Sequence, residues 1–269
     1  MRAALEIVEA GIASTIQDGG RAGFADLGVS PSGAVDRRLA ALTNRLVGNA
    51  EQAPLIETCG GLVVRFTGAA LIAASSELAP TSVAAGQTYR IASNPSCLWQ
   101  YLAVRGGVDV HEVLGSCSTD TLSGLGPPPL AAGDVVAIGS EPESQLAVDH
   151  APGGRVRDVV RISPGPRLDW FDAGSFDRLA AGPWTVTNSS RVGVRLSGVR
   201  LARRITRDLP SEGLVRGAIQ VPPDSDPVML LADHPTTGGY PVIAVVDPDD
   251  VAIVAQTPPG GQVRFTART

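Results

Sequence analysis

The amino-acid sequence predicts a mostly β protein of barrel or sandwich character. Short apolar or alternating runs recur along the chain, and most have the length and composition of strands. The chain of 269 residues also carries 31 Gly and 21 Pro, which suit turns between many short strands and argue against a helical bundle. The predicted strands cover residues 62–66, 71–74, 98–104, 134–138, 159–162, 217–221, 228–232, 242–246 and 262–266.

A few helices are expected between these strands. One is predicted over residues 37–47, where three leucines recur on one face, with Asp36 as N-cap and Gly48 just past the end. Shorter helices are predicted at 175–180 and 249–255, and the second stretch is equally compatible with a strand. Residues 139–158 are polar and contain Gly and Pro, which predicts a division there into lobes 1–145 and 155–269.

Composition excludes several classes of function. All 22 basic residues are Arg, so a Schiff-base Lys, a phosphate-loop Lys, a Ser-Lys amidase system and a biotin-carrying Lys are impossible. The net charge of -5 argues against binding of a nucleic-acid backbone, which requires a basic surface. Arginines alone can still bind carboxylates or phosphates through two hydrogen bonds.

The cysteines, the apolar segments and the histidines indicate the cellular compartment and argue against a metal site. Three widely spaced Cys, with no C-x-x-C pair, are expected to be free thiols in a reducing compartment. The beginning of the sequence lacks the apolar core of a signal peptide, and no apolar run is long enough to span a bilayer. These features predict a cytoplasmic protein. Three scattered His offer no metal-ligand spacing, so no metal site is expected.

The densest polar cluster covers residues 232–241, here called the Asp233 loop, and follows an apolar strand. Asp233 beside His234 forms a candidate acid/base pair, because a histidine titrates near neutral pH. Thr236 and Thr237 offer hydroxyl groups that can bind an anion, and Gly238 and Gly239 allow a ligand to approach the backbone closely. A hydrogen-bonded turn whose histidine only packs explains the same residues equally well.

Other polar clusters carry further candidates. Residues 15–23 and 28–36 are Gly-rich, and the second stretch, with Ser32 and Asp36, leads into a helix N-terminus that favours an anion. A capped helix after a turn is the alternative. Arg191 and Arg195 are candidates for an anion site or for a solvated surface, and Gln220 for a substrate carbonyl or a neighbouring backbone group.

These clusters, in this order, resemble the allophanate hydrolase subunit 2 family. The family includes the C subunit of bacterial 5-oxoprolinase, the A member of the Kip kinase-inhibitor pair, and the carboxyltransferase portion of urea carboxylase. The resemblance covers residues 5–265. Its strongest stretches are 15–23, 31–36, 46–49, 115–119, 217–222 and 233–241.

The resemblance implies a cyclophilin-like β-barrel architecture in two lobes, built as a single domain over residues 1–269. It implies the ATP-driven ring opening of 5-oxo-L-proline to L-glutamate, by a C subunit that works with the A and B subunits of 5-oxoprolinase. The B partner is allophanate hydrolase subunit 1-like. ATP is bound by this chain or elsewhere in the complex. Alternatives are a carboxyltransferase component that uses a separate biotinylated protein, and a non-enzymatic regulator of the Kip type.

The resemblance implies roles for those candidate residues that lie in the stretches resembling the family. Asp233 and His234 handle protons, while Arg191 and Arg195 bind a carboxylate or phosphate. The residues expected to bind or position substrate are Gln220, Thr236, Thr237, Gly238, Gly239, Ser32 and Asp36. The sequence departs from the family pattern at Val35, Ser190, Val192 and Val194, and in the prolines 127–129 that follow Gly126.

Overall fold

The computed structural model describes residues 3–143, 146, 150–151, 159–223 and 226–268. They form two compact units. Unit 1 comprises the described residues of 1–21 and 32–154, and unit 2 those of 22–31 and 155–269. Residues 22–31 therefore belong to unit 2 although they interrupt the sequence of unit 1. Most of the division predicted at 139–158 lies outside the described residues.

Unit 1 contains two five-stranded antiparallel sheets. Its strands are β1 (Ala4–Glu9), β2 (Thr15–Gln17), β3 (Leu55–Thr58), β4 (Leu62–Phe66), β5 (Ala70–Ala74), β6 (Pro80–Val83), β7 (Thr88–Ile91), β8 (Gln100–Val104), β9 (Val108–Asp109) and β10 (Val135–Ile138). The sheet orders are β7-β4-β1-β10-β9 and β2-β3-β8-β5-β6. Apolar residues of both sheets form one core, which includes Leu5, Ile7, Phe66, Ile72 and Leu102.

Helix α1 (Arg37–Leu46) lies in unit 1 and confirms the predicted helix to within one residue. Its Asp36 N-cap accepts a hydrogen bond from Leu39 N at 3.0 Å. Of the predicted leucine face, Leu46 is buried, whereas Leu39 and Leu42 are half-exposed, and Thr43 and Asn44 are buried as well. The Asn44 amide donates to Ala53 O at 2.8 Å, so this face is fixed by a polar contact to the following loop.

Unit 2 is a closed seven-stranded barrel, which confirms the predicted barrel character. Its order is β11-β18-β15-β16-β13-β12-β19. The strands are β11 (Val159–Pro164), β12 (Pro183–Ser189), β13 (Gly193–Ser197), β15 (Ala218–Gln220), β16 (Val228–Leu230), β18 (Val242–Val246) and β19 (Gln262–Ala267), and a separate pair is formed by β14 (Glu212–Gly213) and β17 (Thr237–Gly238). Strand β19 closes the barrel by pairing antiparallel with β12 and parallel with β11.

Two short helices belong to unit 2. Helix α2 (Ser175–Ala181) matches its prediction, and α3 (Val251–Gln256) shows that the stretch equally compatible with a strand is helical. The Trp184 indole, on β12, is fully buried and donates to Leu179 O of α2 at 2.9 Å. Among the described residues, no helix combines the length and the apolarity needed to cross a bilayer.

Candidate functional site

In unit 2, the Asp233 loop is anchored by a buried ion pair. Arg191 precedes β13, and its guanidinium donates from Nε to Asp233 Oδ2 and from Nη2 to Asp233 Oδ1, both at 2.8 Å. The two side chains are only 2% and 0% exposed. Asp233 N also donates to Arg191 O at 2.9 Å. Both oxygens of Asp233 therefore accept from this guanidinium, an arrangement that suits orientation of a side chain better than proton transfer.

His234 is the next residue of the loop and is also buried. Its Nδ1 lies 2.8 Å from Pro235 O. A carbonyl oxygen only accepts hydrogen bonds, so Nδ1 is assigned as the N–H donor of this contact. This tautomer leaves Nε2 as the ring nitrogen that can accept a proton.

Gln220 ends β15 beside the same loop. Its Nε2 donates to Tyr240 O at 2.9 Å, which satisfies a neighbouring backbone group. A Cβ at Gly238 would lie 3.2 Å from that Nε2 and 2.7 Å from Leu214 Cδ1, so any larger residue here would displace these side-chain ends. The structure thus brings Gln220 and Gly238 together, with the amide donor engaged by the loop.

The rest of the Asp233 loop is held through β14. Gly238 pairs with Glu212 and Thr237 with Gly213, while Thr236 O accepts from Leu214 N at 2.9 Å. Glu212 in turn accepts from Arg167 Nε at 2.9 Å. This Arg167–Glu212 ion pair, missed by sequence reasoning, ties the loop's partner strand to the end of β11. Arg195 lies half-buried on β13 opposite Val228.

In unit 1, Ser32 and Asp36 belong to the turn that leads into α1. Ser32 is fully buried, and its Oγ donates to Thr119 O at 3.1 Å. Asp36 caps α1 through its side chain, and its backbone N donates to Tyr101 Oη at 2.7 Å. Asp36 therefore caps the helix, which is the alternative to an anion site that the sequence offered for this turn.

A buried carboxylate–phenol pair supports this turn. Glu57 Oε2 accepts from Tyr101 Oη at 2.8 Å and from Val35 N at 2.7 Å, and both side chains are fully buried. Burial, reinforced by the charges of Glu57 and Asp36, raises the pKa of Tyr101 well above its usual value. Sequence reasoning missed both residues. The charged Glu57 beside the apolar Leu55 and Ile56 does, however, indicate a buried carboxylate.

The structure joins two of the clusters that the sequence singled out. Asp18 Oδ1 accepts from Ser116 Oγ at 2.7 Å and from Ser118 Oγ at 2.5 Å, and Asp18 Oδ2 accepts from Cys117 N at 2.6 Å. The nearby Arg21 is almost fully buried and donates to the carbonyls of Val113 and Ser118. Residues 15–21 and 115–119 therefore form one polar cluster within unit 1.

We expect Tyr101→Phe to lower the free energy of unfolding of the protein by about 1–2 kcal/mol, because it leaves Asp36 N and one Glu57 contact without the phenol. Urea denaturation of the full chain measures this loss. Tyr89→Phe is the matched control, since the Tyr89 hydroxyl donates to Glu77 at an exposed position. Equal losses in the two variants would show that the buried pair does not stabilise the turn.

Comparison with known proteins places the chain in a family. Residues 27–267 match the family described as carboxyltransferase domain, subdomain A and B. The chain is 37% identical to the C subunit of 5-oxoprolinase from Escherichia coli (strain K12), over 97% of this chain and 90% of that protein. The alignment thus covers nearly the whole of both proteins.

Comparison with solved structures leads to the same family. The chain superimposes on TTHA0988 with a TM-score of 0.88 at 33% identity, covering 98% of this chain and 55% of that one. It superimposes on Kluyveromyces lactis urea carboxylase with a TM-score of 0.90 at 27% identity, covering 99% of this chain and 27% of that one. The chain spans about half the length of the first of these and about a quarter of the second. The chain therefore belongs to the carboxyltransferase domain family, subdomain A and B.

Proposed function

We propose that this chain is the C subunit of an ATP-dependent 5-oxoprolinase, which converts 5-oxo-L-proline to L-glutamate together with A and B subunits. The supporting observation is the 37% identity to the Escherichia coli C subunit, because it extends over 90% of that protein rather than over one module. The proposal includes a cytoplasmic location. Cys59, Cys97 and Cys117, all in the described part of the chain, form no disulfide with one another, which suits a reducing compartment.

The reaction explains which groups the site must supply. A lactam is a poor electrophile, so ATP supplies the activation of its carbonyl oxygen. Water then attacks, and the protein must remove a proton from that water and stabilise the negative charge on oxygen. Guanidinium groups and backbone N–H donors meet the second need without any lysine.

The contacts of the Asp233 loop support the following assignment of these roles to its residues. We propose that His234 Nε2 accepts the proton, since Nδ1 is bound to Pro235 O. Asp233 acts as a positioning residue, which orients Arg191 through its two hydrogen bonds. Arg195 is proposed to bind the substrate carboxylate, and Gln220 positions the loop of Thr236, Thr237, Gly238 and Gly239 around the substrate. Ser32 and Asp36 shape the unit 1 turn.

Reconstitution tests this function. The A, B and C subunits are combined with 5-oxo-L-proline and ATP, and glutamate release is measured with this chain present, omitted or heat-denatured. We expect glutamate only when the native chain and ATP are both present. A confirmed three-subunit assembly that releases none would overturn the proposal.

A second candidate function rests on the match to urea carboxylase, with its TM-score of 0.90. In this reading the chain is a carboxyltransferase component acting with a separate biotinylated protein, because the chain has no lysine to carry biotin. Dependence of product formation on bicarbonate and on a biotinylated partner would favour this function. Glutamate release without either would exclude it.

A further inference from the structure

An arginine-rich segment of unit 2 is not explained by the residues discussed so far. Arg200, Arg203, Arg204 and Arg207 lie close together between β13 and β14, in a chain whose net charge is -5. Residues 200–209, here called the arginine loop, contain one acidic residue, Asp208. The loop therefore concentrates positive charge on an otherwise acidic protein.

Backbone contacts fix the position of the arginine loop. Arg204 N donates to Trp170 O at 2.8 Å, and Phe171 forms a β-bridge with Arg203. The guanidinium carbons of Arg203 and Arg207 each lie 5.8 Å from the centroid of the buried Trp170 ring. The cations are held by a rigid aromatic support rather than by carboxylates.

Within the described part of the chain, the arginines of this loop have no carboxylate partner, and Arg204 donates to the carbonyl of Asp169. There, Arg200, Arg203 and Arg207 form no ion pair, whereas Arg65, Arg161 and Arg191 are each bound to a carboxylate. Arg203 Nε is buried and has no hydrogen-bond acceptor among the described residues. A buried charged donor without an acceptor is costly, and two guanidinium groups against one indole repel each other. A bound anion at the accessible parts of these guanidinium groups would offset the second cost.

A pocket opens beside these side chains. It has a volume of about 210 Å³ and is lined by Arg200, Arg203 and Thr206 together with Gly239 and Tyr240. Asp208 also borders it. The Tyr240 side chain is 48% exposed, while its carbonyl is bound to Gln220. The pocket thus combines cations that have no carboxylate partner in the described chain with an accessible aromatic ring, which the Asp233 loop contributes through Tyr240.

We propose that this pocket binds a nucleoside triphosphate. Arg200 and Arg203 bind the phosphate oxygens, for which a planar guanidinium offers two parallel donors. The Tyr240 ring stacks on the base. The role given to the nucleotide rests on the proposed function, since it assigns the ATP of that reaction to this chain. Binding itself is testable without the other subunits.

Titration calorimetry of the full chain with ATP, inorganic triphosphate and adenosine tests the pocket. We expect ATP to bind, triphosphate to compete with it, and adenosine alone to bind more weakly than either. Arg200→Gln and Arg203→Gln should each weaken ATP binding at least about tenfold. Tyr240→Ala should weaken binding of ATP but not of triphosphate. Arg65→Gln, at an exposed strand position, is the charge-matched control and should change nothing.

Because Arg203 packs on Trp170, its substitution can disturb the loop, but Arg200 is exposed and tests the pocket without that risk. Unchanged ATP affinity in Arg200→Gln, or no ATP binding by the wild-type chain, would overturn the proposal. Binding of poly-glutamate in place of ATP, lost in Arg200→Gln, would overturn it in favour of an acidic partner segment.

The two proposals fail separately. Glutamate release by an assembly whose C subunit does not bind ATP leaves the proposed function intact and removes the nucleotide pocket. ATP binding by a chain that supports no glutamate release removes the function and leaves the pocket. In an active assembly, Arg200→Gln should raise the KM for ATP and leave the KM for 5-oxoproline unchanged, a split that a merely structural role would not produce.

Discussion

Asp233→Ala is expected to lower the free energy of unfolding by about 3–5 kcal/mol, because it leaves the Arg191 guanidinium buried without its carboxylate partner. The side chains of the pair are 2% and 0% exposed, so water cannot replace the lost oxygens without opening the site. The loss is measured by urea denaturation of the full chain. In the assembled enzyme, activity should fall with it, since Arg191 loses its orientation.

Two further variants make this prediction specific. Glu6→Gln breaks the exposed Arg65–Glu6 pair and should leave the denaturation midpoint nearly unchanged. The double variant Arg191→Met with Asp233→Leu removes both charges together, and we expect it to recover much of the stability lost in Asp233→Ala. If Asp233→Ala is no more destabilising than Glu6→Gln, the pair does not anchor the loop.

His234→Asn is expected to reduce glutamate release by about 10²–10⁴-fold in the reconstituted enzyme, because it removes the proposed proton acceptor. The asparagine amide can still donate to Pro235 O in place of Nδ1, so the loop should keep its hydrogen bond and its stability. Initial rates at saturating 5-oxoproline and ATP measure the effect.

His111→Asn is the control for this substitution, since His111 is exposed in unit 1. It should leave the rate unchanged. Full activity in His234→Asn would exclude proton transfer by His234 and would return the residue to a packing role. A rate loss accompanied by an equal loss of stability would also give no support to proton transfer by His234. Urea denaturation of the same sample distinguishes that outcome from a rate loss at unchanged stability.

Much of the fold was predictable because burial leaves a local pattern in the sequence. The run 242–246 is apolar on both faces, the run 62–66 is apolar except for Arg65, and both are strands with the predicted bounds. Strands β12 and β13 were not predicted, because the alternation of buried and exposed residues is short in both. In β12 it ends after Val186, where the register with β13 shifts, and β13 has only two buried residues, Val194 and Leu196.

The candidate site was predictable only as separate pieces. Asp233 and His234 stand out as neighbours, but the partner of Asp233 is Arg191, far away along the chain. No local pattern shows which arginine meets which carboxylate, since an ion pair of this kind is created by strand pairing. For the same reason, the density of arginines at 200–207 is visible in the sequence, whereas their lack of carboxylate partners among the described residues is not.

Closure of the barrel by β19 has a consequence for synthesis of the chain. Strand β19 pairs with both β11 and β12, yet it is made after every other barrel strand. Until the ribosome has delivered it, β11 and β12 each expose an unpaired edge, and such edges recruit strands from other chains. Nascent unit 2 is therefore most open to aggregation just before its last strand emerges, which makes this the stage at which a chaperone would matter most.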